Sequence, residues 1–335
     1  MLLFFRNNQI LTILPLALYV GVTHIGALMG YVDMPARQEA DEGVLYRAWF
    51  GWASQAPFWS AAGAALLVLL QAVLVNALAD TFRVMSDRNW LPGLFYVLAA
   101  SCLPDFLFLS PPLAAVTLLP LVLRRIFRSY QQPKATALIF DAALWTTLAS
   151  LFYPPALYLF LAVLAGISIM RSFSFRERMV TLTGLLIVLF LAWLWYFWTD
   201  RGWEFWQIQF GGLAGLYGFD LSMNLKTALQ AALLLAMLLL TVLNYGTIMF
   251  RNLIQIQKIF SVLYWILFTA AFSVVLPDRP PVTHFLLMAP ALAVFWGVSF
   301  SSWRNRFWPE LFHLCVLATV LFVQFFSKTD VTGWL

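Results

Sequence analysis

The sequence predicts an all-α fold: a polytopic transmembrane bundle of about 11 spans, N-terminus inside and C-terminus outside, with an amphipathic helix lying in the interface at the first outer loop. Three observations carry this reading. Only 10% of the 335 residues are charged, 62% are hydrophobic and the mean hydropathy is +0.84, whereas a soluble domain carries about 25% charged residues. Long apolar runs alternate with short charged connectors. The basic residues are also unevenly divided between alternate connectors, which sets the orientation. Residues 1–335 therefore read as a single integral-membrane domain with no soluble domain.

Taken in order, the apolar runs lie near 10–31, 58–79, 91–109, 112–127, 136–153, 155–171, 179–197, 225–249, 259–276, 282–300 and 311–326. The fourth to sixth are short enough to be tilted or broken. Met1–Gln9 holds one charge, Arg6, and no small-residue cleavage site follows the first run, so that run is expected to be retained as a span. With the N-terminus inside, fourteen Lys and Arg fall on the cytoplasmic side and six outside. That asymmetry obeys the positive-inside rule. The formal charge of +5 thus marks inner connectors and gives no reason to expect nucleic acid. Each inner connector is too short to fold as an ATPase, which excludes ATP-driven transport by this chain alone.

Three outer connections carry Pro-Pro pairs, Pro111-Pro112, Pro154-Pro155 and Pro280-Pro281, as expected where helices begin. Cys102 and Cys315 sit in apolar runs without metal-type spacing, and small-hydrophobe packing accounts for them.

Two long polar interruptions remain, about 32–57 and about 198–224, both outer loops in this topology. The first concentrates Asp33, Glu39, Asp41 and Glu42 in a chain with 15 acidic residues. Asp41 is expected as the N-cap of a helix whose stripe is Leu45, Trp49 and Trp52, lying in the interface plane. A solvated, capped acidic loop is the plainer account of the same residues. Asp105, at the outer end of the third span, is a carboxylate inside an apolar run, and such residues face a cavity or a partner. A cap for a proline-broken helix explains it equally well. Asp41, Glu42 and Asp105 share one side of the membrane, so they are candidates for base and ligand roles. Asp41 and Asp105 are also the candidate ligands of a divalent cation, the one cofactor considered.

The second loop places Trp203 beside Glu204 and Arg201, aromatic and carboxylate groups of the kind that stack on and hydrogen-bond a sugar. An aromatic belt at the membrane interface is the competing account. Arg37, Arg47 and Arg201 are the outer cations available to a phosphate. His284 follows Asp278, Arg279 and a Pro-Pro pair at the outer surface, which makes it a binding candidate; a hydrogen bond between helices is the simpler role. Asp141 is expected to pair with the basic run before it, and Gln71 and Asn244 to bond between helices.

Two resemblances are visible. Asp105-Phe-Leu-Phe-Leu-Ser-Pro-Pro-Leu113, Leu123-Arg-Arg-Ile-Phe127, Ala149-Ser-Leu-Phe-Tyr153 and Tyr196-Phe-Trp-Thr-Asp200 resemble a family of polytopic inner-membrane proteins of Bacteroidota. That resemblance implies a multi-pass protein of the bacterial inner (cytoplasmic) membrane and no particular activity. Asp41-Glu42-Gly-Val-Leu-Tyr46 resembles the Asp-Glu-x-x-x-Tyr pattern of GT-C-type glycosyltransferases, which use polyprenyl-phosphate-linked donors. This implies Asp41 or Glu42 as base or metal ligand, Asp105 as second acid, and Arg37, Tyr46, Arg47, Trp49, Arg201, Trp203, Glu204 and His284 as candidates for substrate contact. The chain departs from larger GT-C members in lacking a C-terminal outer domain, and its Pro-Pro-Leu comes only at Pro111-Pro112-Leu113.

Three functions remain open from the sequence. One is a glycosyltransferase with a lipid-linked donor. Another is a flippase or secondary carrier of a lipid-linked or small hydrophobic substrate, which requires midplane polar groups and inverted repeats. The last is a non-catalytic subunit of an envelope complex that docks other membrane proteins through its outer aromatics.

Overall fold

The computed structural model describes residue 5 and residues 12–36, 39–85, 87–213, 239, 253–274, 276, 281–302 and 307–325. The described secondary structure is helical, without strands, and the chain is a helical membrane protein. Its helices are α1 (Ile13–Leu28), α2 (Val44–Phe50), α3 (Pro57–Thr81), α4 (Leu91–Ala100), α5 (Pro111–Val116), α6 (Leu119–Arg128), α7 (Thr136–Phe152), α8 (Leu159–Met170), α9 (Phe175–Trp198), α10 (Gly202–Phe210), α11 (Ile254–Phe272), α12 (Ala289–Ser302) and α13 (Phe307–Phe325).

Among the described residues, four segments are long and apolar enough to cross a bilayer unaided: Pro57–Thr81, Phe175–Trp198, Ile254–Phe272 and Val282–Ser301. The remaining apolar helices are shorter, and proline explains several of the interruptions. The third apolar run stops at Ala100 and resumes as a 3₁₀ turn, Pro104–Leu107. The fourth breaks before Pro120 into α5 and α6, and the sixth begins as a 3₁₀ turn at Pro154-Pro155. A proline lacks the N–H that continues a helix and clashes with the preceding turn. The fifth run, short enough to be tilted or broken, is not broken: it forms the continuous helix α7 (17 residues), because no proline interrupts it. The eighth run, 225–249, lies outside the described residues apart from residue 239.

At the centre stands α4, with every residue from Leu91 to Ala100 buried against α3 and α12. Its Tyr96 hydroxyl donates to Gln71 Oε1 at 2.6 Å, and the Gln71 amide donates to Leu113 O at 2.8 Å and Thr117 Oγ1 at 2.6 Å. The buried amide is thereby satisfied between three helices, as a polar group in an apolar core must be. At the periphery, α9 buries only Thr181 and Gly184 and shows an almost wholly apolar surface to its surroundings. Successive helices run between two ends. Ser54, before α3, lies at the same end as Pro111, the first residue of α5, and the Arg124–Arg128 end of α6 lies at the other.

Candidate functional site

The loop between α1 and α2 reverses through Gly30, whose φ of 74° suits a residue without Cβ, and tightens into a 3₁₀ turn at Glu39–Asp41. Gly43 then presses onto the end of α7. Its N–H donates to Phe152 O at 3.0 Å, and a Cβ at this position would overlap the Leu151 carbonyl. This contact changes the expected role of Asp41. Gly43, not Asp41, occupies the cap position of α2, with no side-chain cap bond. The close backbone approach requires glycine there, so the helix starts later and Asp41 is left on the inner wall of the loop.

Arg47 holds the loop from behind. Its guanidinium donates to Glu39 O at 2.6 Å and Glu42 O at 3.3 Å, and it stands 4.0 Å from the Glu42 carboxylate. Trp49 on α2 and Trp52 in the 3₁₀ turn that follows it (Gly51–Gln55) are exposed, Trp49 with its ring edge-on to Phe152, while Val44 and Tyr46 are buried. That division fits a helix with its aromatic side toward lipid headgroups.

Inside the loop is a cavity of ≈ 170 Å³. Its wall includes Asp41, Glu42, Tyr46, Asp105, Ser110 and Thr283. The structure therefore brings the three carboxylates Asp41, Glu42 and Asp105 to one space. Tyr46 helps to join them, because its hydroxyl donates to Leu109 O at 3.1 Å and ties α2 to the segment carrying Asp105 and Ser110. Asp41 is only 9% exposed, and one of its carboxylate oxygens has no hydrogen-bond partner among the described residues. Burial, reinforced by the neighbouring Glu42 charge, pushes its pKa up to about 7. The Ser110 hydroxyl is likewise buried and without a partner among the described residues. Sequence reasoning missed Ser110, since a serine before Pro-Pro reads as a helix cap. It does hold the cap position of α5 but makes no side-chain cap bond.

The other candidates are placed differently. His284 is fully buried behind the cavity wall, although its neighbour Thr283 lines it. Its Nδ1 meets the Tyr153 hydroxyl at 2.7 Å, while Nε2 lies 3.1 Å from Ala270 O and 3.0 Å from Ser273 Oγ. A carbonyl only accepts, so Nε2 carries the proton and Tyr153 donates to Nδ1. The ring is committed to protein partners.

Arg201 and Glu204 form two 2.6 Å bonds at the exposed start of α10, and Arg201 stacks over Tyr196. Their mutual hydrogen bonds hold the Glu204 carboxyl below its usual range and raise the Arg201 guanidinium. Phe205 and Ile208 seat α10 on Val44 and Leu151, so Arg201, exposed Trp203 and Glu204 flank α2 outside the cavity lining. Arg37 lies outside the described residues, as do Asp278, Arg279 and Asn244. The described residues contain no cluster of three His, Cys, Asp or Glu side chains arranged to hold a metal.

No protein-family model and no curated protein matches the chain. Among solved structures, the chain is similar to ArnT from Cupriavidus metallidurans bound to undecaprenyl phosphate, with a TM-score of 0.58 and 14% identity. The match covers 93% of this chain and 63% of ArnT, so the chain spans less than two thirds of that protein. At this identity the likeness concerns the fold alone: the chain has an ArnT-like helical membrane fold.

Proposed function

We propose that the chain is a GT-C-like glycosyltransferase that takes a sugar from a polyprenyl-phosphate-linked donor at the Asp41 cavity, on the extracytoplasmic side of the bacterial inner membrane. The observation that carries this reading is the Asp41 carboxylate itself, nine-tenths buried, with one oxygen lacking a hydrogen-bond partner among the described residues, in the lining of a cavity shared with Glu42 and Asp105. The similarity to a structure solved with undecaprenyl phosphate supports the lipid class, and the Asp41-Glu42-x-x-x-Tyr46 pattern supports the reaction class.

In this mechanism Asp41 takes the proton of an acceptor hydroxyl. The acceptor oxygen attacks the anomeric carbon, and the bond to phosphate breaks with its electron pair leaving on the polyprenyl phosphate. A base with a pKa of about 7 is matched to neutral pH, since it is half ionised yet still takes up a proton readily. Asp105 and Ser110, which line the same cavity, orient the acceptor. Arg47 keeps Asp41 and Glu42 in place through the Glu39 and Glu42 carbonyls. A divalent cation, if used, would be held by the Asp41 and Asp105 carboxylates and would neutralise donor phosphate charge.

The test uses purified protein in proteoliposomes with an undecaprenyl-phosphate-linked hexose, following release of undecaprenyl phosphate. Asp41→Asn is expected to lower turnover by about 10²–10⁴-fold, the usual contribution of a general base. If Asp41→Asn, Glu42→Gln and Asp105→Asn all retain full activity at normal abundance, the proposal fails.

A further inference from the structure

At the end of the bundle away from Asp41, a second cavity of ≈ 260 Å³ opens between α6 and α7. It is lined by Leu121, Arg124, Arg125, Arg128 and Trp145. Arg124 and Arg128 are one turn apart and exposed, whereas Arg125 is half-buried and pairs with Asp141 at 3.3 Å. Among the described residues neither Arg124 nor Arg128 has a carboxylate within salt-bridge distance. Arginines in the last turn of a helix compensate its dipole, but that role needs no cavity and no tryptophan.

The cavity is also graded along the axes of α6 and α7. Leu121 lies about 5 Å further into the bundle than Arg124, and Trp145 about 6 Å further in than Asp141, at 1.5 Å per helical residue. Its rim is thus cationic and its floor is aliphatic and aromatic. A free anion has no use for such a floor. A lipid has both parts: a phosphate for the guanidinium forks and a glycerol and acyl region for Leu121 and Trp145. By the charge count this end is the one predicted to be cytoplasmic, where anionic headgroups meet basic pockets between helices.

We propose that Arg124, Arg125, Arg128 and Trp145 form a binding site for the phosphate headgroup of an anionic membrane lipid, separate from the Asp41 cavity and independent of the activity assigned to it. Arg124 and Arg128 grip the phosphate. Arg125 is held by Asp141 and sets the spacing, and Trp145 packs under the headgroup.

The experiment is native mass spectrometry of the full chain in detergent, titrated with phosphatidylglycerol and with phosphatidylcholine of the same acyl chains. Phosphatidylglycerol is expected to be retained preferentially. The Arg124→Gln/Arg128→Gln variant should bind it roughly 20–30-fold more weakly, from a roughly five-fold loss per arginine. Both side chains are exposed, so the variant should keep the wild-type melting temperature, which is measured in parallel. Lys134→Gln removes a charge from the turn between α6 and α7, outside the cavity lining, and should leave binding unchanged. Equal retention of the two lipids, an unaltered affinity in the double variant, or an equal loss in Lys134→Gln overturns the proposal. Displacement of the lipid by inorganic phosphate at equal concentration also overturns it, by identifying a free-anion site.

Discussion

Replacing Asp41 with Asn isolates what it costs the fold to hold this carboxylate. In the unfolded chain the group ionises near its ordinary value of 3.8, and in the folded protein near 7. Below the lower value both states keep the proton, and the folded state bears no penalty. As pH rises from there, the unfolded chain releases its proton while the folded chain retains it. Stability then falls by about 1.4 kcal/mol per pH unit until the folded group also ionises. Above pH 7 the loss levels off at about 4 kcal/mol. This figure is a ceiling, because the loop can relax toward water before the whole bundle unfolds. An amide has nearly the shape of the protonated acid and carries no charge, so Asp41→Asn removes the penalty where it is largest. Thermal melts in detergent should place the variant several degrees above wild type at pH 8.5. At pH 5 the free-energy gap should shrink to about a third of that value. A gap that does not change with pH, or a variant less stable than wild type at pH 8.5, would refute the claim that Asp41 is held in a desolvated site. A gain in stability on losing the carboxylate, combined with a loss of turnover, is the pattern expected of a group kept for chemistry.

Two further outcomes follow from the same geometry. The Asp41 base must be ionised to accept a proton, so turnover of the undecaprenyl-phosphate-linked donor should rise with pH through about 7; a rate that stays flat from pH 5.5 to 8 would assign the base elsewhere. Gly43→Ala forces a Cβ into the Leu151 carbonyl and displaces the Gly43 N–H from Phe152 O. It should cost about 1–3 kcal/mol, as overpacking does, and lower turnover as Asp41 shifts, whereas a wild-type melt and rate would show that the loop does not depend on this contact.

Much of this protein is legible in its residue order, and the physical reasons are specific. The apolar runs give the helical membrane class, since transfer into lipid is a property of each segment whatever its neighbours. Pro104, Pro120 and Pro154 mark where the runs break, because ring geometry acts on the local backbone. That Asp41, Glu42 and Asp105 share one end of the bundle also follows from the alternation of the apolar runs. Some expectations did not survive packing. Asp41 looked like a cap because aspartate commonly is one, yet the contact of Gly43 with Leu151 and Phe152, over a hundred positions away in sequence, moved the helix start. For His284 the sequence left a binding role beside the simpler one of a hydrogen bond between helices, and the fold turns it inward onto Tyr153 and Ala270.

By itself, then, the sequence determined that this is a helical membrane chain with scarce charge gathered at the helix ends, because hydropathy and proline stereochemistry are local. Only the tertiary structure decided that Asp41, Glu42, Asp105, Ser110 and Thr283 border one cavity, and that Arg201 and Glu204 satisfy each other outside it. Those relations depend on which helix packs beside which. That choice rests on shape complementarity and hydrogen bonds between residues far apart in the chain, such as Tyr46 to Leu109 and Gly43 to Phe152.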